Sequence, residues 1–309
     1  MIDEVAKFVN VQILGRLGVC LVRSTSIEKL LTENHLLKQQ VSQLRAIPEQ
    51  QTQSGLANTW VLAKLDSGIS IWADSKDVGV SRPCMMGIYE PDESGFVRSV
   101  LNSGDTFVDI GANIGWFTLM AANIVGPEGR VYSFEPRPDT SERLGMSADL
   151  NGYMNVEIQQ VALGSAAGRM TVATQLSAHN PGGTWSLATD ALDSALDEGY
   201  ERFEVDVIRL DDLQLKHCDL LKIDIEGAEY LALSGATETL TRLRPTIISE
   251  INPEPLKLVS QVSAAEYVEF LRGLGYSAYE VTANGPGKLL SRDFATKLSD
   301  MVNIAFLPD

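Results

Sequence analysis

The sequence predicts an α/β fold: a doubly wound, largely parallel sheet, with a small β cap and an N-terminal helical extension ahead of it. Three observations carry this. Beyond residue 105, short apolar runs alternate with amphipathic helical patterns. Residues 106–118, TFVDIGANIGWFT, read as a buried strand, a glycine turn and a helix. The first 50 residues carry a helical pattern of their own and are followed by a polar stretch, AIPEQQTQSGLAN.

Taken in order, residues 1–23 are mildly amphipathic, with Val5, Phe8, Val9, Ile13 and Leu17 near one helical face. Residues 24–45 show a heptad seam. Ile27, Asn34 and Val41 fall at a, and Leu30, Leu37 and Leu44 at d. β-branched a positions, Leu at d and one Asn at a favour a parallel two-stranded coil. Residues 1–50 are therefore expected to form a helical extension that pairs two copies into a homodimer. The alternative is one amphipathic helix on the domain surface. Residues 51–100 are expected to form the cap, because WVLAKL and ISIWA flank a D-x-G turn as a hairpin would.

Residues 101–309 form the main domain. Strands are expected at 106–110, 130–135, 156–161, 219–225, 246–251, 276–281 and 302–307, with helices at 115–125, 138–150, 228–240 and 264–274. Between the third and fourth strands lies a polar insertion, 165–208, on the side where such sheets bind ligands. It is expected to face the substrate; a solvated hairpin over a sheet edge is the alternative.

The turn carries the chemistry. Gly111 and Gly115 let the backbone adopt unusual torsions and approach a ligand. The helix that follows directs free N–H groups back at the turn. Asp109 stands where the dinucleotide fingerprint G-x-G-x-x-G has its first glycine, so the pattern D-x-G-x-N-x-G disfavours a nicotinamide cofactor. It fits a nucleoside ligand without a pyrophosphate, of which S-adenosylmethionine (SAM) is the commonest. Glu135 ends the next strand about 20 residues on, where an acidic side chain accepts bonds from ribose hydroxyls. Ala162, just past the third strand, lies where an adenine ring would sit.

Composition excludes several classes. Lys and Arg number 25 against 41 Asp and Glu, a net charge of −16, which disfavours nucleic acid as substrate. The cysteines, Cys20, Cys84 and Cys218, form neither a disulfide framework nor a thiolate zinc site. No apolar run approaches the ~20 residues of a membrane span. These features lead to an expected cytoplasmic location.

The motifs DIGANIG, FEPRP, VALG, LDDL and KIDIEGAE occur here in the order and spacing of the FkbM-type SAM-dependent methyltransferases. The resemblance covers roughly residues 60–282 and leaves out the first 50. It implies a seven-strand Rossmann-like methyltransferase sheet, SAM as donor and a hydroxyl acceptor on a sugar or secondary metabolite. It places Asp109, Gly111, Asn113 and Gly115 around the methionine part of SAM, and Glu135 on the ribose. Asp224 and Glu226 then face the meeting point of acceptor and methyl, and Tyr89 or Glu90 closes over the cofactor. The candidate bases are His179, Asp224, Glu226 and Glu250. Of the histidines, only His179 lies in a ligand-side loop. Asp224, Glu250 and Asn252 end adjacent strands and offer oxygens to Mg²⁺ as an alternative, though no dedicated metal motif is present. Rival functions are transfer to nitrogen and a catalytically silent SAM-fold scaffold; intact Asp109, Glu135, Asp224 and Glu226 argue against silence.

Overall fold

The computed structural model describes residues 59–175, 184–187 and 200–309. The helical extension with its heptads, and the loop bearing His179, lie outside the described residues.

The central sheet is built from strands whose residues are buried on both faces. In β3 (Thr106–Ile110) all five residues are buried, and in β10 (Leu220–Ile223) all four. Val108, Ile110, Leu221, Ile223 and Ile247 point into one core. Phe107, Val131, Leu220 and Ile248 point into the other. Alternation along each strand thus feeds two layers. One layer holds helices α2 (Pro91–Val100), α3 (Trp116–Val125) and α4 (Pro138–Leu150). The other holds α5 (Glu229–Ser234), α6 (Thr237–Leu243), α7 (Pro253–Val259) and α8 (Ala264–Gly273).

The strand order is β13-β12-β14-β11-β10-β3-β4-β5. β4 (Arg130–Phe134), β5 (Val156–Gln159) and β11 (Thr246–Ile251) join β3 and β10 in a parallel block. β14 (Val302–Pro308) runs antiparallel between β11 and β12 (Tyr276–Thr282). The seven expected strands are all present, and an eighth, β13 (Gly285–Leu289), hairpins back on β12. The chain leaves β3 towards β4 and later returns through β10 on its other side. The crevice of a doubly wound sheet opens at such a reversal, beyond the carboxyl ends of the strands.

Two expected elements divide. The single helix at 228–240 is broken between α5 and α6 at Gly235. A Cβ there would lie 2.0 Å from the carbonyl oxygen of Gly164, so the helix gives way to let that loop pass. The strand expected at 156–161 ends at Gln159, and β6 (Ala162–Leu163) turns into a second sheet. That sheet, β6-β9-β7-β8, contains β7 (Gly168–Gln175), β8 (Thr184–Leu187) and β9 (Tyr200–Ile208), all from the polar insertion.

β1 (Trp60–Lys64) and β2 (Ser70–Asp74) pair antiparallel around Gly68, whose φ is 88°. The free edge of β2 is closed by side chains of α4 and of Asn151, which follows its last residue. Ser70 N–H donates to Asn151 Oδ1 (2.8 Å), and Asn151 Nδ2 donates to the Ser70 carbonyl (2.6 Å). Trp72 N–H donates to Ser147 Oγ (2.9 Å). The Arg143 guanidinium lies over the rings of Trp60 and Trp72, 5.6 and 5.4 Å from their centroids. An edge satisfied in this way stays part of the domain. Asn151→Ala removes both bonds to Ser70 and should lower stability by about 1–3 kcal/mol. Urea unfolding measures this, and a loss within error would show that the clasp contributes nothing.

Candidate functional site

A cavity of about 270 Å³ opens at the carboxyl ends of β3, β4, β10 and β11. That is close to the lower end of the ~300–1,000 Å³ typical of small-molecule sites. Its floor depends on Gly111. A Cβ on that residue would fall 2.1 Å from the Asp224 carbonyl oxygen, and its φ is 83°. The N–H groups of Gly111 and Ala112 both donate to the Phe134 carbonyl (3.0 and 3.1 Å), which binds the turn to the end of β4. Asn113 follows in the left-handed region (φ 50°), and its Oδ1 accepts from Ile114 N–H at 2.8 Å.

Glu135 is held at the adjoining strand end. Its Oε2 accepts from Asn113 N–H and its Oε1 from Arg137 N–H, each at 2.9 Å. Burial pushes this carboxyl up to about 7, while the two N–H groups work in the opposite direction. Each carboxylate oxygen retains a lone pair for a further donor.

The opposite end of the cavity is organised on Lys222, a residue buried within β10. Its Nζ donates to Asp224 Oδ2 at 3.0 Å, lies 3.9 Å from Glu90 Oε2 and sits 4.5 Å from the centroid of the Phe117 ring. Burial alone would depress this amine. The carboxylates of Asp224, Glu90 and Asp109 prevail and hold it above the ordinary lysine value. Around it the carboxyls rise: Glu90 to about 7 and Glu226 to about 7, both chiefly through burial. Glu250 rises to about 9 through burial, then through the nearby Asp224, Glu226 and Glu229. Glu90 caps α2 with φ 40° although Pro91 follows it, and Glu226 has φ 52°. A residue before proline ordinarily stays extended, so local strain is held at the cavity wall.

The segment carrying Tyr89 and Glu90 is locked to the core. Trp116 Nε1 donates to Ser94 Oγ (2.8 Å), which donates to the Tyr89 carbonyl (2.7 Å). The Tyr89 ring meets those of Trp116 and Phe117 at centroid distances of 6.2 Å.

The structure therefore brings together Tyr89, Glu90, Gly111, Asn113, Glu135, Asp224, Glu226 and Glu250 on one cavity wall. Four other candidates lie off that wall. Asp109 is fully buried behind it, with Oδ2 accepting from Thr118 Oγ1 at 2.6 Å and Oδ1 unpartnered. Gly115 has φ 92° at the start of α3, and a Cβ on it would fall 2.1 Å from Leu144 Cδ1, so it serves the turn into α3 and its contact with α4. Ala162 packs with Val172, Val205 and Val207 in the second sheet. Asn252 caps α7. Among the described residues, no three His, Cys, Asp or Glu side chains are placed to hold a metal ion. No helix among them is long and apolar enough to cross a membrane.

Sequence reasoning missed Lys222, Arg137, Trp116 and Phe117, all on the wall. Lys222 carried a readable signal: a lysine flanked by Leu221 and Ile223 in a buried strand needs a partner.

Residues 109–278 match the family model of the methyltransferase FkbM domain. The chain is 30% identical over 166 residues to Methyltransferase 1 of Beauveria bassiana (strain ARSEF 2860), covering 48% of this chain. That match spans 65% of the Beauveria protein, just under two thirds of its length. It is also 30% identical over 202 residues to the 31-O-demethyl-FK506 methyltransferase FkbM of Streptomyces tacrolimicus, covering 57% of this chain and 74% of that one. Among solved structures, a methyltransferase FkbM from Methylobacillus flagellatus KT aligns with a TM-score of 0.43 at 16% identity, over 74% of this chain and 52% of that one.

Lys222→Met would leave Asp109 and Asp224 buried or half-buried without their cation. Breaking a buried pair in this way costs about 3–5 kcal/mol. Denaturant unfolding tests the value, and a loss below ~1 kcal/mol, the range of a surface pair, would contradict the reading of Lys222 as the counter-charge.

Proposed function

The chain belongs to the methyltransferase FkbM family, and on that premise we propose that it transfers a methyl group from SAM to a hydroxyl oxygen of a sugar or secondary metabolite. The observation that carries the proposal is Glu135. It is a buried carboxylate on the cavity wall, oriented by two backbone N–H groups and set beside the glycine turn. That acceptor fits the ribose hydroxyls of the adenosyl part of SAM, and Gly111 leaves the backbone bare where the ligand approaches. The relative from Streptomyces tacrolimicus bears a name that specifies an O-methylation, which supports oxygen as the acceptor atom.

SAM, when bound, would supply an electrophilic methyl: the C–O bond would form as the C–S bond breaks, S-adenosylhomocysteine would leave as a neutral thioether, and the hydroxyl proton would pass to a base of the chain. The chain's own residues account for the rest. Glu135 takes the ribose hydroxyls. Gly111 and Asn113 border the methionine part, and Tyr89 with Glu90 covers it from the cap. Asp109 supports the turn from behind, because its carboxylate is bonded to Thr118 and has no cavity surface.

At the acceptor end, Asp224, Glu226 and Glu250 converge on one wall. Glu226, raised to about 7, is the carboxylate best matched to taking the hydroxyl proton near neutral pH. Glu250, raised to about 9, is protonated there and can donate a hydrogen bond to the acceptor oxygen. Lys222 holds Asp224 by one oxygen and fixes its direction. His179 remains the rival base.

Transfer to nitrogen is a second reading, favoured by the charge of the cavity. Glu90, Glu135, Asp224 and Glu226 outnumber Lys222 and Arg137 on its wall, an environment that attracts a cationic amine, which would give up a proton there before its nitrogen attacks.

Titration calorimetry with SAM should show binding that Glu135→Ala weakens about tenfold or more, since the ribose loses a charged acceptor. Absence of binding to the unaltered protein would reject the enzyme reading. With an acceptor in hand, a base raised to about 7 gives a rate that climbs with pH through that value as the carboxylate ionises. Glu226→Gln should lower kcat by about 10²–10⁴ and abolish that limb; an unchanged profile would transfer the role to His179.

A further inference from the structure

Residues 77–81, DVGVS, lie outside the matched family domain and join β2 to the short helix α1 (Ser81–Met85). Asp77 is 3% exposed. Its Oδ1 accepts from the N–H groups of Gly79 (2.9 Å) and Val80 (3.1 Å), and its Oδ2 from Ser81 N–H (3.0 Å). Its own N–H donates to the Asp74 carbonyl (3.0 Å), and its carbonyl accepts from Arg82 N–H (3.0 Å). One buried carboxylate thus sets the course of the whole turn.

That turn forms part of the cavity. Gly79 and Val80 line it together with Ile114 and Thr140. A cleft of about 20 Å³ separates Asp77 and Ser81 from Asn113, Ile114, Arg137 and Thr140, and those last four also line the main cavity. None of Lys222, Asp224, Glu226 or Glu250 borders the cleft. The turn therefore stands against the Glu135 end of the cavity. Val80 and Ile114 offer apolar surface, and Gly79 adds no side chain: a pairing that suits the flat face of a purine.

We propose that the 77–81 turn is the wall for the adenine of SAM, with Asp77 as its positioning residue. The inference rests on the reading of Glu135 as the ribose ligand. It assigns to the cap a recognition role that Ala162, packed in the second sheet, does not have the position to fill. Asp77 acts through Gly79 and Val80; its own oxygens are engaged by the backbone.

The test is titration calorimetry with two probes, S-adenosylhomocysteine and 5′-methylthioadenosine. The second has the adenosyl group and lacks the amino-acid tail. Asp77→Ala should weaken both by the same factor, about tenfold. Asp77→Asn should recover most of the loss, because its amide oxygen still accepts from Gly79 and Val80. Val80→Trp should abolish binding of both while circular dichroism and melting temperature stay as in the parent. Parent-like affinity in Asp77→Ala and Val80→Trp overturns the proposal, as does a loss confined to S-adenosylhomocysteine. If Asp77→Ala does not fold, Val80→Trp decides alone by the same criterion. Failure of the parent protein to bind either probe would instead reject the cofactor reading on which the proposal rests.

Discussion

A single side chain at residue 111 would drive apart the two strands on which the site is built. The Asp224 carbonyl stands 2.1 Å from where a Cβ would be. This close approach places the turn after β3 beside the end of β10, and the N–H groups of Gly111 and Ala112 then reach the end of β4. Asn113 is delivered to Glu135, and Asp224 to the same cavity. Three strand ends are brought to one point by a residue that contributes no functional group. Its cost is the conformational freedom glycine loses on folding, offset by the buried β3–β10 pairing below it.

Charge is the second constraint. Asp109 and Lys222 are cross-strand neighbours in adjacent parallel strands, both buried. Isolated ionised groups in such a position are very costly. Each is tolerable because the other is there, with Asp224 and Glu90 extending the group into the cavity. The same low-dielectric surroundings raise the carboxyls that Lys222 does not bond directly, including Glu226 and Glu250. On the proposed reading, carboxyls of different proton affinity on one wall would supply a proton acceptor in Glu226 and a hydrogen-bond donor in Glu250.

Much of this was legible in the residues, and the reasons differ by element. β3, β10 and β11 are short, mostly apolar runs, interrupted only by Asp109, by Lys222 and by Ser249 with Glu250, and bounded by turn residues, which leaves little freedom of assignment. The glycine turn and Glu135 were legible because their spacing follows from strand and helix geometry. The division of the helix at Gly235 was not, since it depends on Gly164, 71 positions earlier in the chain (235 − 164). The second sheet was hidden in a polar insertion whose strands alternate weakly and share a small core of Ala162, Val172, Val205 and Val207. Gly115 looked like a ligand residue because a motif records only that glycine is needed; the structure gives it a φ of 92° at the start of α3, against Leu144 and off the cavity wall. The 77–81 turn had no signature, because its ordering comes from one aspartate bonded to its own backbone.

The central claim is that Glu135 and the glycine turn hold the adenosyl half of a methyl donor while the Lys222 carboxylate group faces the acceptor. A crystal structure with S-adenosylhomocysteine tests it most directly. The account predicts both ribose hydroxyls within hydrogen-bond distance of the Glu135 carboxylate and the sulfur directed towards Asp224 and Glu226. A ligand seated elsewhere, or in the reverse direction with its ribose at Lys222, would contradict it.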